Sequence, residues 1–346
     1  MKYKNFTLLY IGNKLQKHGK TPTSIDTLSL QLESLCDVLS TSDKLNIILR
    51  MGDITLSIIK YKKQTNAILI DTYSSLNFYI SLISAFLANF FKIDYYLYLH
   101  GGNLPMRLKK NPRLSKYLFS HSKVNIAPSG YLKNAFEKEG YKVEFIPNNI
   151  DISMYPFKPR SVLAPNILYV RAFSEIYNPQ MAIEAFVKVY KKYPEAKMCM
   201  VGPDKDGSMQ LCKELCSQLN VEHAVEFTGR LEKSEWIRRS EEFDLFINST
   251  NFDNQPVSII EAMALGLPIV STNVGGIPFL IQNEKDGLLC AKNSSEEMAS
   301  CILRLLDNKD LASRLSEEGL SKAQSYSWDN VKNSWEKLLF DKGMIS

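Results

Sequence analysis

A chain of 346 residues is long enough for two domains of ordinary size, each with its own core. With 45% hydrophobic and 23% charged residues it reads as a soluble globular protein, which excludes a disordered chain. The net charge of +5 hides an asymmetry: residues 1–150 hold 20 Lys and Arg against 10 Asp and Glu (+10), leaving 22 against 27 (−5) for residues 151–346. The basic first half fits attraction to a polyanion or an anionic membrane, or else a soluble surface of mixed charge. No recognised nucleic-acid motif accompanies it, so a nucleic-acid partner is not expected.

Strand and helix patterns alternate along the first half. Apolar runs predict strands at 6–11, 46–51, 67–71, 95–99, 124–127 and 143–146, with helical stretches at 24–39, 76–92 and 129–139 between them. The opening apolar run, residues 6–11, is too short to suggest a signal peptide. Residues 76–91 are uncharged, but they fall short of the roughly 20 residues of a spanning helix and lie between two strands, so a buried crossover helix is expected. The second half repeats the order, with strands at 167–170, 197–201, 225–228, 245–248, 269–271 and 287–290 and helices at 179–193, 209–219, 256–265 and 294–306. A proline-rich stretch at 146–166 reads as a linker. The expected organisation is a first domain over 1–157, a second over 158–327, and a last helix, 328–342, whose place in the sequence leaves open which domain it packs on. Cys36, Cys199, Cys212, Cys216, Cys290 and Cys301 are scattered among apolar neighbours and read as buried thiols, as in a reducing cytoplasm.

Residues 251–276, NFDNQPVSIIEAMALGLPIVSTNVGG, carry the most chemistry. Asp253 stands eight positions before Glu261, and Pro256 suits a first helical position, where its missing N–H would be unpaired anyway. The amides of Val257 and Ser258 then point out of a helix start, a ready site for a diphosphate. Glu261 lies too far into the helix to be a cap, and a carboxylate there can accept both hydroxyls of a ribose. Asp253, in the preceding loop, can accept hydroxyls of a sugar beyond the phosphates. The bland reading is an ordinary capped helix with solvated acids. The functional one is nucleotide-sugar chemistry.

On these residues the stretch 253–276 resembles the nucleotide-sugar motif of the family 4 glycosyltransferases of GT-B fold. In that family two glutamates stand eight apart and are followed by A-M-A-x-G-x-P-V-V; here Asp253 takes the first place and Glu261 the second. The resemblance covers nearly the whole chain. Residues 128–151 are similar to the helix and strand before the family's hinge, and LYVRAFSEIYNPQMAIEAF, residues 168–186, to the first strand and helix of its second domain. There the family carries an Arg and, five residues on, a Lys, both gripping the diphosphate. Arg171 matches the Arg, whereas Ile176 holds the Lys position, which leaves Lys205, Arg230 or the helix N-terminus to carry the remaining charge. Arg171 as a salt bridge at the core edge is the alternative, although the guanidinium fork suits phosphate.

His100, Gly101 and Gly102 follow the strand at 95–99, at the carboxyl end where open sheets bind ligands. The resemblance implies that His100 lies beside the transferred sugar and helps stabilise positive charge on its ring; a lone His is otherwise structural. Gly12, after the first strand, lets the backbone approach phosphate or acceptor. The family's paired glycines are absent there, and so is the G-x-G-x-x-G of a dinucleotide site. Gly229, Arg230 and Leu231 resemble the family's base-contacting turn. Asp204-Lys205-Asp206 spells a D-x-D, but with an Arg and a helix dipole available no metal or other cofactor is expected, the nucleotide sugar being a substrate.

The resemblance thus implies an α/β chain of GT-B fold, two Rossmann-like doubly wound domains facing across a cleft. It implies a retaining hexosyltransferase that uses a nucleoside-diphosphate sugar, UDP-linked by expectation. His100 and Asp253 are the expected catalytic residues. Arg171, Asn254, Gln255, Pro256, Val257, Ser258, Glu261, Gly229, Arg230 and Leu231 are expected at the donor, with Gly12, Gly101 and Gly102 in loops near donor or acceptor. A saccharide or lipid-linked saccharide acceptor, in surface polysaccharide or envelope glycan assembly, fits the basic first half. So does a cytoplasmic protein touching an anionic inner membrane face. A two-domain protein that binds a sugar or nucleotide without transferring it is the competing reading, and a nicotinamide-dependent dehydrogenase would need the missing glycine fingerprint.

Overall fold

The computed structural model describes residues 3–19 and 22–341. The chain divides into two α/β units, Met1–Pro147 with Ser334–Ser346, and Asn148–Asn333. Residues 148–157, expected with the first domain, lie with the second unit: the Asn148 N–H donates to the Gln255 side chain at 2.9 Å, and the Ile150 N–H to the Tyr326 carbonyl at 3.0 Å.

In the first unit the strands β1 (Tyr3–Ile11), β2 (Cys36–Thr41), β3 (Ala67–Thr72), β4 (Asp94–Leu99), β5 (Val124–Ala127) and β6 (Val143–Phe145) form one parallel sheet in the order β2-β1-β3-β4-β5-β6. Side chains alternate between two buried faces. Leu9, Ile11, Ile68, Ile70, Tyr95 and Leu97 join one apolar cluster beneath the helices, while Leu8, Tyr10, Leu69, Tyr96 and Tyr98 are buried on the opposite face. Burial on both faces is why these strands read as continuous apolar runs, as parallel strands do. The end of the helix Trp328–Phe340 covers that second face: the fully buried Trp335 meets the Tyr98 ring edge-on at 5.6 Å, and Phe340 stacks on Tyr3 at 3.7 Å. Lys342, the last residue of the predicted helix, lies outside the described residues.

Two early assignments change. Residues 46–51 are not a strand but the start of the helix Ile47–Tyr61, because the Asn46 side chain accepts the Ile48 and Leu49 N–H groups and caps it. Ile48 and Leu49, which look like core residues in the sequence, are exposed. The strand lies earlier: the helix predicted over 24–39 stops at Leu32, and Cys36–Thr41 turns into the edge strand β2. The helix Asn77–Phe91 is also less buried than expected. Phe78, Ser81, Ser84, Ala85 and Ala88 face the core, while Tyr79, Ile83, Phe86 and Phe90 line one exposed stripe at helical spacing. Among the described residues, no helix is long and apolar enough to cross a membrane.

In the second unit β7 (Asn166–Val170), β8 (Lys197–Val201), β9 (Val225–Gly229), β10 (Leu245–Asn248), β11 (Ile269–Thr272) and β12 (Leu288–Cys290) form a parallel sheet in the order β12-β11-β10-β7-β8-β9. Counted within the unit, that is the dinucleotide-fold order 3-2-1-4-5-6. The two-residue period sorts the core: Ile167, Tyr169, Met198, Met200, Leu245 and Ile247 enter one cluster, Leu168, Cys199, Val201 and Phe246 the other. Strand order reverses between β7 and β10, and the crevice outside their carboxyl ends is where such sheets bind ligands.

Candidate functional site

Both chain segments bordering that crevice in the second unit carry predicted residues. Arg171 follows β7 directly. The loop after β10 leads through Asp253, Asn254 and Gln255 to the helix Val257–Ala264. Pro256 is the N-cap of this helix rather than its first residue, with no side-chain cap of its own. The first N–H groups of the helix therefore lack intrahelical acceptors and are available to an anion. Ser258, in the first turn, has a buried hydroxyl with no partner among the described residues.

Arg171 and Asp253 are ion-paired. The guanidinium also stands 4.2 Å over the Tyr177 ring, and its Nε is buried without a partner among the described residues. Burial pulls the arginine pKa down, but Asp253, Tyr177 and Tyr169 more than offset this and raise it above the ordinary value, so the group stays charged. The other oxygen of Asp253 accepts the Asn254 N–H at 2.8 Å. The Asp253–Asn254 turn is seated on Gly275 and Gly276. A Cβ on Gly276 would lie 1.7 Å from the Asn254 carbonyl oxygen, and the Gly276 N–H donates to the Asp253 carbonyl at 2.8 Å. The glycine pair that ends the sequence motif thus fixes the height of its acidic loop.

Glu261 is buried and doubly held. Its Oε1 accepts the Tyr155 hydroxyl and the Lys233 ammonium, each at 2.7 Å. Burial and then the Glu261 charge push the Tyr155 phenol far above its usual pKa, so it remains a donor. Neither Lys233 nor Tyr155 was picked out in the sequence. A lysine two residues after Gly229-Arg230-Leu231 is a usable signal in hindsight; Tyr155 lay in what read as a linker. Gln255 faces inward and holds the Asn148 N–H. Gly229 ends β9 and accepts the Gly202 N–H at 2.8 Å, Arg230 lies 3.7 Å from Glu232, and Leu231 packs on the apolar cluster. Ile176 is partly exposed on a short turn, where its carbonyl accepts the Asn251 N–H at 2.8 Å. Where Ile176 supplies no cation, Lys233, which the sequence did not single out, brings one to Glu261 at 2.7 Å.

The D-x-D has a local use. Asp206 accepts the Ser208 hydroxyl at 2.5 Å, the Glu175 N–H at 2.9 Å and the Ser174 hydroxyl at 2.8 Å, and these bonds hold its pKa down at about 2. It ties a turn to a helix start. No cluster of His, Cys, Asp and Glu suited to a metal occurs among the described residues.

In the first unit the strand order reverses between β1 and β3. Gly12 follows β1, and β3 ends in Asp71 and Thr72. His100 follows the neighbouring β4, its N–H donating to the Thr72 carbonyl at 2.8 Å. The ring is almost wholly buried, stacked on Tyr73 at 5.0 Å and met edge-on by Tyr98 at 4.4 Å. Its Nε2 lies 2.8 Å from Asp71 Oδ1, and Gly12 packs directly on the other carboxylate oxygen. Asp71 therefore joins the two predicted positions Gly12 and His100, and sequence reading missed it. The signal was there: a carboxylate closing the otherwise apolar run AILID. Gly101 takes a left-handed φ of 81°, and Gly102 offers its carbonyl to the Tyr131 hydroxyl at 3.4 Å.

Residues 158–322 match the family model of glycosyl transferases group 1. An uncharacterised glycosyltransferase of Haemophilus influenzae is 26% identical over 210 residues, 59% of this chain and 58% of its own length. The N-acetyl-alpha-D-glucosaminyl L-malate synthase of Bacillus anthracis is 25% identical over 177 residues, 51% of this chain and 45% of its own length. These matches thus span only about half of each relative. The crystal structure of Anabaena Alr3699/HepE with UDP and glucose superposes with a TM-score of 0.76 at 16% identity, covering 96% of this chain and 99% of that one. The chain has the GT-B fold, and its residues 158–322 are similar to the glycosyl transferases group 1.

Proposed function

We propose that the protein is a retaining family 4 glycosyltransferase that transfers a hexose from a UDP-sugar. The observation that carries this reading is the second unit's switch point. There Arg171, the open helix start at Val257 and Ser258, and the carboxylates of Asp253 and Glu261 gather on two adjoining segments. Breaking the bond between the sugar C1 and the diphosphate oxygen builds negative charge on the leaving group, which Arg171 and the helix amides stabilise. Glu261 fixes the ribose once its hydroxyls compete with Lys233 and Tyr155. Asp253 holds the sugar, and His100 serves its cationic face. The acceptor oxygen bonds to C1 on the face the diphosphate leaves, and the acceptor proton passes to the departing phosphate. No metal is needed in this scheme. The HepE structure holding UDP and glucose supports a UDP donor, as a property of that neighbour.

The acceptor we propose is a saccharide on a lipid carrier, in surface polysaccharide or envelope glycan assembly, reached at the cytoplasmic face of an anionic membrane. Two features of the first unit support it: the +10 charge of residues 1–150, and the exposed stripe Tyr79, Ile83, Phe86 and Phe90, with Lys92 at its end.

The central test is a screen of UDP- and GDP-sugars for release of the nucleoside diphosphate, run beside Glu261→Ala. The wild type should turn over a UDP-sugar, and the variant should lose donor binding or turnover while remaining folded. Undiminished donor-dependent transfer by Glu261→Ala would sink the site assignment. Thermal stabilisation by UDP-sugars without any release would favour a binding protein instead.

A further inference from the structure

Resting on that reading of His100, we propose that Asp71 is a positioning residue that fixes the tautomer and direction of the His100 ring and sets a buried negative charge behind it. Every residue of β3 is buried, and a carboxylate among them must be paired or hydrogen-bonded to be tolerated. Asp71 Oδ1 meets this need twice, accepting the Tyr10 hydroxyl at 2.9 Å and His100 Nε2 at 2.8 Å. Oδ2 is buried and accepts nothing among the described residues.

An ionised carboxylate only accepts, so the hydrogen lies on Nε2 of the imidazole and Nδ1 is left to meet a substrate. The rings of Tyr73 and Tyr98 and the backbone bond to Thr72 remove the remaining freedom of the ring. Burial, reinforced by the Asp71 charge, pushes the Tyr10 phenol well above its usual pKa, so Tyr10 stays a donor and does not compete for the proton. Gly12 completes the seat: a Cβ there would come 2.5 Å from Oδ2, so any side chain would drive the carboxylate off the imidazole.

The consequence is chemical. Positive charge grows on the sugar ring as the diphosphate leaves, and an unpaired imidazolium beside it would oppose that growth. Paired with Asp71, the ring is held in one orientation with a compensating negative charge behind it. A buried acid behind a histidine holds it in one tautomer by this means in other active sites.

Asp71→Asn keeps the shape and removes the charge. Nitrogen-resolved NMR of the four histidines, with His100 assigned by loss of its signals in His100→Gln, should show Nε2–H in the wild type and a mixed or Nδ1–H state in Asp71→Asn. In turnover with the UDP-sugar found by the screen, kcat should fall at least about ten-fold while the donor KM moves less than about two-fold. Tyr10→Phe, which removes the other bond to the same oxygen, should leave kcat within about two-fold. Gly12→Ala, which displaces the carboxylate without altering its charge, should reproduce both the NMR change and the loss of kcat, and it replaces Asp71→Asn if that variant does not fold. An unchanged His100 tautomer, or an undiminished kcat, overturns the proposal. If the wild type transfers no sugar at all, the functional reading fails, and the NMR result still decides whether Asp71 controls the ring.

Discussion

The two units place polar residues at the same topological point, the reversal of strand order, but hold them differently. In the second unit each carboxylate is paired with a cation that is partly open to water: the Arg171 side chain is 21% exposed and that of Lys233 49%. In the first, Asp71 is 0% exposed and its partner His100 scarcely more. Ion pairs near water gain little from each other and can be traded for a ligand's phosphates and hydroxyls. A buried acid–imidazole pair cannot be traded without leaving a charge unpaired in the interior. The second unit is thus built to exchange partners, the first to keep them.

The largest expected effect comes from breaking the exchangeable side. Arg171→Ala removes the fork that stabilises the leaving group, and turnover should fall by about 10² to 10³. The fold should survive, because Asp253 is left near water and keeps its Asn254 bond. Arg171→Lys should recover only part of the loss, since an ammonium cannot make the paired contact. Equal effects of Arg171→Ala on turnover and on melting temperature would instead make the pair structural. A smaller effect is expected from the loop's seat. Gly276→Ala must move the Asp253–Asn254 turn, at a cost of about 1–3 kcal/mol in unfolding free energy. Donor KM should rise with it, while the His100 tautomer stays as it was. A denaturation curve with an unchanged midpoint would mean the loop adapts freely.

Most of the architecture was legible because both sheets are buried on both faces, so apolar runs marked eleven of the twelve strands among the described residues. The exception is the edge strand β2, buried only at its ends, and the apolar run read as a strand in its place shows the limit. Asn46-Ile-Ile-Leu is as apolar as a core strand, yet Asn46 caps a helix whose Ile48 and Leu49 stay exposed. Apolar content cannot separate a core strand from a helix with a sticky outer face. The donor loop and helix were readable because their chemistry is contiguous in sequence. Asp71, Tyr155 and Lys233 were not, since each acquires meaning only from a partner 29, 106 or 28 positions away. The polar end of β3 and the lysine after Gly229-Arg230-Leu231 were the local hints, and they read as the close of a strand and a surface charge.

A second exposed apolar face, on the helix Asn77–Phe91, supplies the gentlest test of the contrast between the units. The first unit combines a basic surplus with Tyr79, Ile83, Phe86 and Phe90 in the open, whereas residues 151–346 carry a net −5. If the first unit docks on lipid, the protein should sediment with vesicles of anionic phospholipid and not with neutral ones. The bound fraction should fall as salt rises from 0.1 M to 1 M and the screening length shrinks from about 10 to about 3 Å. An apolar contribution should remain at the higher salt. Burying one phenylalanine side chain is worth about 1.5–3 kcal/mol when complete, so Phe86→Ser should weaken vesicle binding about ten-fold while leaving UDP-sugar hydrolysis in solution unchanged. Binding that ignores both salt and Phe86→Ser would remove the physical basis for a membrane-borne acceptor and leave the exposed stripe to another partner.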